Sequence, residues 1–136
     1  CIERASSCLM CLRPQGVLTR SQRRALRELW PDYGIDAGYN VTMTAQTLQL
    51  EFGDDGSEAA TTGEARLILD VGFGSGEETA TTAEMFPSCR FLGVEVHKPG
   101  LASLLKRIRR KNLTNVRVVR SDVITLLADR MKGRVF

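Results

Sequence analysis

Residues 67–76 read Leu67-Ile68-Leu69-Asp70-Val71-Gly72-Phe73-Gly74-Ser75-Gly76. Leu67 to Val71 is a short apolar run with β-branched members, the pattern of a buried strand. Glycine then recurs at every second position, at Gly72, Gly74 and Gly76. Glycine permits positive φ and removes the Cβ that would hold a ligand away, so the strand runs into a tight turn that something approaches closely. Glu77 and Glu78 follow, where the first turn of a helix favours negative charge. Strand, glycine loop and helix together open a nucleotide-binding α/β unit.

The spacing narrows the ligand. A dinucleotide fingerprint needs G-x-G-x-x-G, and counting from Gly72 its third glycine falls on Glu77. The pattern here is G-x-G-x-G, preceded by Asp70. Two carboxylates after the loop oppose a pyrophosphate and argue against a nicotinamide dinucleotide. A ligand with an ammonium group and no phosphate suits the loop better, and S-adenosylmethionine is such a ligand.

Going outward, the same alternation continues. A helix is expected from Gly76 to Phe86, stopped by Pro87, with Ala80 and Ala83 small enough to pack closely on a sheet. A second strand spans Phe91–Val96. A helix covers Pro99–Asn112, with Leu101, Leu104, Leu105 and Ile108 on one face. A third strand spans Val116–Arg120, and Asp122 opens a helix through about Arg130. Arg134–Phe136 reads as the start of a fourth strand. This order demands a parallel sheet with helices on both faces, a Rossmann-like α/β fold. Ligands then bind beyond the carboxyl ends of the strands. Asp70, Glu95 and Asp122 fall at or just past three such ends. Glu95 is placed to accept from ribose hydroxyls, Asp122 to face an adenine amino group, to cap its helix or to do both, and Asp70 to attract an ammonium directly or through water.

Upstream, residues 1–18 read as an irregular arm. Thr19 with Gln22 is a capping-box pattern that opens a helix through about Leu29, ended by Pro31. Residues 31–66 read as a long connection, with a short strand near Leu48–Phe52 and a mobile acidic centre over Asp54–Gly63. The division expected is therefore 1–18, 19–66 and 67–136, the last being the cofactor-binding part.

With 136 residues there is room for one domain, and 43% hydrophobic content excludes wholesale disorder. No apolar run approaches the roughly 20 residues of a membrane span. The net charge of +3 is unevenly placed. Arg13, Arg20, Arg23, Arg24 and Arg27 precede the first nearby acid, Glu28, and Lys98, Lys106, Arg107, Arg109, Arg110 and Lys111 form a second acid-free block. Such clusters suit a polyanion, although charge alone favours solvated helix faces. Cys8 and Cys11 form one C-x-x-C with no second pair, and the single histidine, His97, is far away in sequence. The four cysteines are read as reduced thiols of an intracellular, cytoplasmic or nuclear protein, with no metal site. His97 is read as structural or as a loop contact.

Several of these stretches coincide with one family. Gly93-Val94-Glu95-Val96-His97-Lys98-Pro99-Gly100, taken with Leu69–Gly76, resembles the tRNA (guanine-N7)-methyltransferases. Gln15-Gly16-Val17-Leu18-Thr19-Arg20-Ser21-Gln22 and Leu29-Trp30-Pro31-Asp32-Tyr33-Gly34-Ile35 are similar to its N-terminal segment. Leu113-Thr114-Asn115-Val116-Arg117 and Asp122-Val123 also fit. The resemblance covers about residues 13–136. It implies a class I methyltransferase fold, S-adenosylmethionine as cofactor, and methyl transfer to N7 of a guanine in the tRNA variable loop. It makes Asp70, Gly72, Gly74, Gly76, Glu95 and Asp122 the cofactor-binding set. Family members often carry Glu where Asp70 stands, so a water-bridged contact is expected there. The resemblance to a tRNA enzyme makes Arg20, Arg23, Arg24, Arg107, Arg109 and Arg110 the candidate tRNA contacts. The family's proposed catalytic segment, similar to F-P-D-P-W-x-K-x-R-H, would follow Phe136. No catalytic residue is therefore assigned, and the chain is expected to be a fragment or truncated product without transfer activity of its own. A cofactor-binding but inactive module is the alternative.

Overall fold

Thr19 starts the first helix by a reciprocal cap: its Oγ accepts from the Gln22 backbone N–H at 3.2 Å, and its own N–H donates to Gln22 Oε1 at 2.9 Å. The computed structural model describes residues 17–36, 52 and 66–130. Its elements in chain order are α1 (Arg20–Tyr33), β1 (Gly34–Ile35), β2 (Leu67–Val71), α2 (Glu77–Met85), β3 (Arg90–Val94), α3 (Lys98–Lys111), β4 (Val116–Val119) and α4 (Val123–Thr125). The backbone continues from α4 as π-helix over Leu126–Arg130. The four strands form one parallel sheet in the order β1-β4-β3-β2.

The register divides the sheet's side chains between two layers. Phe91, Val116 and Val118 face α1, α2 and α3, where Ala80, Ala83, Leu101, Leu104, Leu105 and Ile108 are buried with them. Full burial of a leucine contributes about 1.5–3 kcal/mol, so the α3 face anchors this layer. Leu92, Val94, Val119 and Ile35 face the other way, with Leu126. Phe52 is buried as well, and the guanidinium carbons of Arg90 and Arg117 lie 5.6 and 5.2 Å from its ring centroid.

Four expectations change. β2 is not the buried strand expected: it lies at the edge of the described sheet, with Ile68 38% and Val71 49% exposed. Pro31 does not end α1. It lacks an N–H, which removes one bond in the last turn, but the Gly34 N–H still reaches the Trp30 carbonyl and the helix runs on to Tyr33. The connection after it is not all loop, because Gly34 and Ile35 pair in parallel with Val118 and Val119 as an edge strand. Phe52 is helical, so no strand reaches that residue. The strands at β3 and β4 end at Val94 and Val119, slightly short of the expected bounds. The arm before Val17, Leu48–Glu51, the acidic centre, Cys1, Cys8, Cys11 and Arg134–Phe136 lie outside the described residues. No helix among the described residues is long and apolar enough to cross a membrane.

Candidate cofactor site

The three loop glycines all adopt left-handed backbone, with φ of 68° at Gly72, 58° at Gly74 and 69° at Gly76. Their surroundings differ. A Cβ on Gly76 would sit 2.6 Å from Leu104 Cβ, so Gly76 exists to let the loop settle onto α3. A Cβ on Gly72 or Gly74 would meet nothing within 4 Å. The Cβ sides of those two glycines face open space at the carboxyl end of β2, as a ligand cradle requires. Phe73, between them, turns inward over Gly93, whose absent side chain leaves room for the ring.

Glu95 follows β3 and is only 7% exposed. Its Oε1 accepts from the backbone N–H of Val96 at 2.8 Å and of His97 at 3.1 Å, and its Oε2 accepts from Gly74 N–H at 3.2 Å. One carboxylate thus ties the glycine loop to the turn before α3. A carboxylate offers about four acceptor positions, so one on Oε2 stays open for a ligand donor. Asp122 is exposed and caps α4, with Oδ1 accepting from Ile124 N–H at 3.0 Å and Thr125 N–H at 3.1 Å, while Oδ2 makes no such contact among the described residues. Asp70 lies within β2, and its Oδ2 accepts from the Thr79 hydroxyl at 2.6 Å, binding β2 to α2. His97 is the N-cap residue of α3, without a side-chain capping bond.

Two features of this rim were not foreseen. Gly100, in the first turn of α3, is pressed against the loop: a Cβ there would lie 2.3 Å from the Gly74 carbonyl oxygen. Glycine is a poor helix former, and that, with its place at the end of the Gly93–Gly100 stretch, was its visible signal. Arg107 also belongs to the loop. Its Nε donates to the Ser75 carbonyl and its Nη2 to Glu77, both at 3.3 Å.

The remaining candidate cations spread over the helical layer. Arg20, Arg23, Arg109 and Arg110 are exposed and make no ion pair among the described residues. Arg24 is paired with Glu28 at 3.0 Å. Lys106 Nζ reaches Ser21 Oγ at 3.5 Å, which brings the start of α1 beside the middle of α3.

A parallel sheet, a glycine loop with two open backbones and an anchored acid after the neighbouring strand define a Rossmann-like methyltransferase fold. A family model described as "Putative methyltransferase" matches residues 64–135, more than half of the chain, and the chain belongs to that family. It is similar to the tRNA (guanine-N(7)-)-methyltransferase of Methylobacillus flagellatus, at 41% identity over 113 residues that cover 83% of this chain and 42% of the relative. The protein of the same description from Methylococcus capsulatus is 41% identical over 83% of this chain and 43% of its own length. That from Nitrosococcus oceani is 36% identical over 85% and 44%. The chain therefore spans less than half the length of these curated relatives.

Proposed function

We propose that this chain carries the cofactor-binding part of an S-adenosylmethionine-dependent enzyme that methylates N7 of a guanine in the variable loop of tRNA. The observation that supports it most is the pair of open, left-handed glycines beside an acid with one acceptor position left. Glu95 would accept from a ribose hydroxyl, Asp122 Oδ2 from the adenine amino group, and the Asp70 carboxylate would attract the ammonium. When bound, S-adenosylmethionine supplies a methyl group activated by its sulfonium. Guanine N7 already presents a lone pair, so little acid–base chemistry is demanded of the protein, and positioning and water exclusion account for most of the rate. The exposed cations Arg20, Arg23, Arg109 and Arg110, with Arg24 beside them, would attract tRNA phosphates. Arg107 is better read as a strut for the glycine loop.

Titration with S-adenosylhomocysteine and, separately, with NADH tests the cofactor; saturable binding of NADH alone would reject the reading. A transfer assay with radiolabelled cofactor and unmodified tRNA tests the reaction, on this chain and on a version extended to the length of its relatives. The 136-residue chain is expected to bind the cofactor product without transferring methyl groups, and the extended version to form N7-methylguanosine. Cofactor binding without transfer by the extended version would favour the inactive module.

A further inference from the structure

At the other side of the sheet's carboxyl rim, a cavity of about 610 Å³ opens between α1, the ends of β1 and β4, and the start of α3. It contains neither the glycine loop nor Glu95. Its rim is basic: Arg23 and Arg27 come from α1, Lys98 from α3, and Arg120 from just past β4. Arg23 and Lys98 make no ion pair among the described residues. Its wall is apolar, formed by Leu26 and the indole of Trp30. Asp36 is the single acid. Its Oδ1 accepts from the Trp30 Nε1–H at 2.8 Å, which leaves Oδ2 as an acceptor among cations.

These groups match one ligand chemistry. Guanidinium and ammonium groups take a phosphate. An apolar and aromatic wall takes a planar base. A lone carboxylate oxygen takes an exocyclic amino group. The volume lies within the range of small-ligand sites. Polyglutamate would satisfy the cations, yet it offers no flat ring to the wall and no exocyclic amino group to Asp36. We propose that this cavity holds one unpaired nucleotide of an RNA strand, with its phosphate on Arg23, Arg27, Lys98 and Arg120 and its base against Trp30 near Asp36. The inference rests on the proposed RNA partner and shares Arg23 with that reading, but it uses no residue of the cofactor loop.

Trp30 is the chain's one tryptophan, so its fluorescence reports on this wall alone. The 136-residue chain would be titrated with a short single-stranded oligoribonucleotide, with guanosine monophosphate and with polyglutamate. The oligonucleotide is expected to change Trp30 emission saturably. Arg23→Ala and Lys98→Ala should each weaken it about tenfold, the loss of one charge-assisted hydrogen bond, and flatten its salt dependence. Circular dichroism and thermal melts establish that each variant is folded. Guanosine monophosphate binding as tightly as the strand would make this a site for free nucleotides and overturn the strand assignment. No change in emission, equal competition by polyglutamate, or an affinity indifferent to both folded variants would overturn the cavity as a nucleotide site. S-adenosylhomocysteine binding should be unaffected by either variant, which keeps the two proposals separable.

Discussion

Glu95 and Asn115 solve the same problem at opposite ends of the sheet. Each is a nearly buried polar side chain that holds three backbone groups. Glu95, after β3, accepts from the N–H groups of Gly74, Val96 and His97. Asn115, before β4, donates through Nδ2 to the carbonyls of Ala83, Phe86 and Cys89, at 3.0, 3.2 and 2.9 Å. The Asn115 clasp closes the turn between α2 and β3. Three acceptors share its two donor hydrogens, so that amide has no donor left for a ligand. The Glu95 clasp borders two glycines with nothing over them and keeps an acceptor position open. Similar burial and similar bonding thus serve a structural joint in one place and a candidate binding site in the other. What separates them is the space beside the clasp, which residue type alone does not disclose.

The strongest way to break the comparison is Gly100→Ala. The new methyl group would meet the Gly74 carbonyl at 2.3 Å, and a backbone oxygen has no rotamer by which to yield. Overpacking costs about 1–3 kcal/mol, and the upper end is expected here. The glycine loop must move, so thermal stability and S-adenosylhomocysteine affinity should fall together. A variant as stable and as tightly binding as the parent would show that the loop is not braced by α3.

Glu95→Ala comes next and should act on ligand and loop together, since it also removes the acceptor that the Gly74, Val96 and His97 N–H groups share. It removes the acceptor proposed for the ribose, worth about 1.5–3 kcal/mol for a charged group. Calorimetry showing unchanged affinity would remove Glu95 from the site. Asn115→Ala should act on stability alone. It leaves carbonyls without their buried donor, at about 1–3 kcal/mol of stability, and analogue affinity measured well below the melting temperature should not change. If that affinity falls as far as in Glu95→Ala, the two clasps are coupled and the contrast between them fails.

Much of this frame was legible because it is written in periodicity. The leucine spacing of α3, the Thr19–Gln22 cap, the apolar run of β3 and the valines of β4 each specify an element locally. The unread parts depend on distant partners. Gly34 and Ile35 are too few to show a strand period, and they become a strand only because Val118 and Val119 offer an edge. Asp70 was legible as an acid beside the loop, but the Thr79 hydroxyl that donates to its Oδ2 from nine residues on was not. Arg107 looked like part of a solvated basic face, and Ser75 and Glu77 hold it. Glu95 was legible as a strand-end acid, but its three N–H partners were not, because they come from two separate turns. The basic cavity was missed for the same reason, since its walls come from α1, α3 and the ends of two strands brought together only by the sheet order.

The smallest effect is expected at Glu28, far from both clasps. Arg24 Nε donates to both of its carboxylate oxygens at 3.0 Å, and Arg27 lies 3.5 Å away. The Arg24 hydrogen bond is the main reason its carboxyl is held below the usual value of 4.5, with slight desolvation opposing it. A carboxyl lowered on folding stabilises above its unfolded value, and that contribution is lost as pH falls through the folded value. Both partners are exposed, so solvent screens the pair and the change should be small. Thermal melts of the parent and of Glu28→Gln should therefore differ slightly at neutral pH and converge once the medium is acid enough to protonate Glu28. S-adenosylhomocysteine affinity should be the same in both. A melting difference that persists undiminished in acid would mean that Glu28 acts through packing along α1 rather than through its charge.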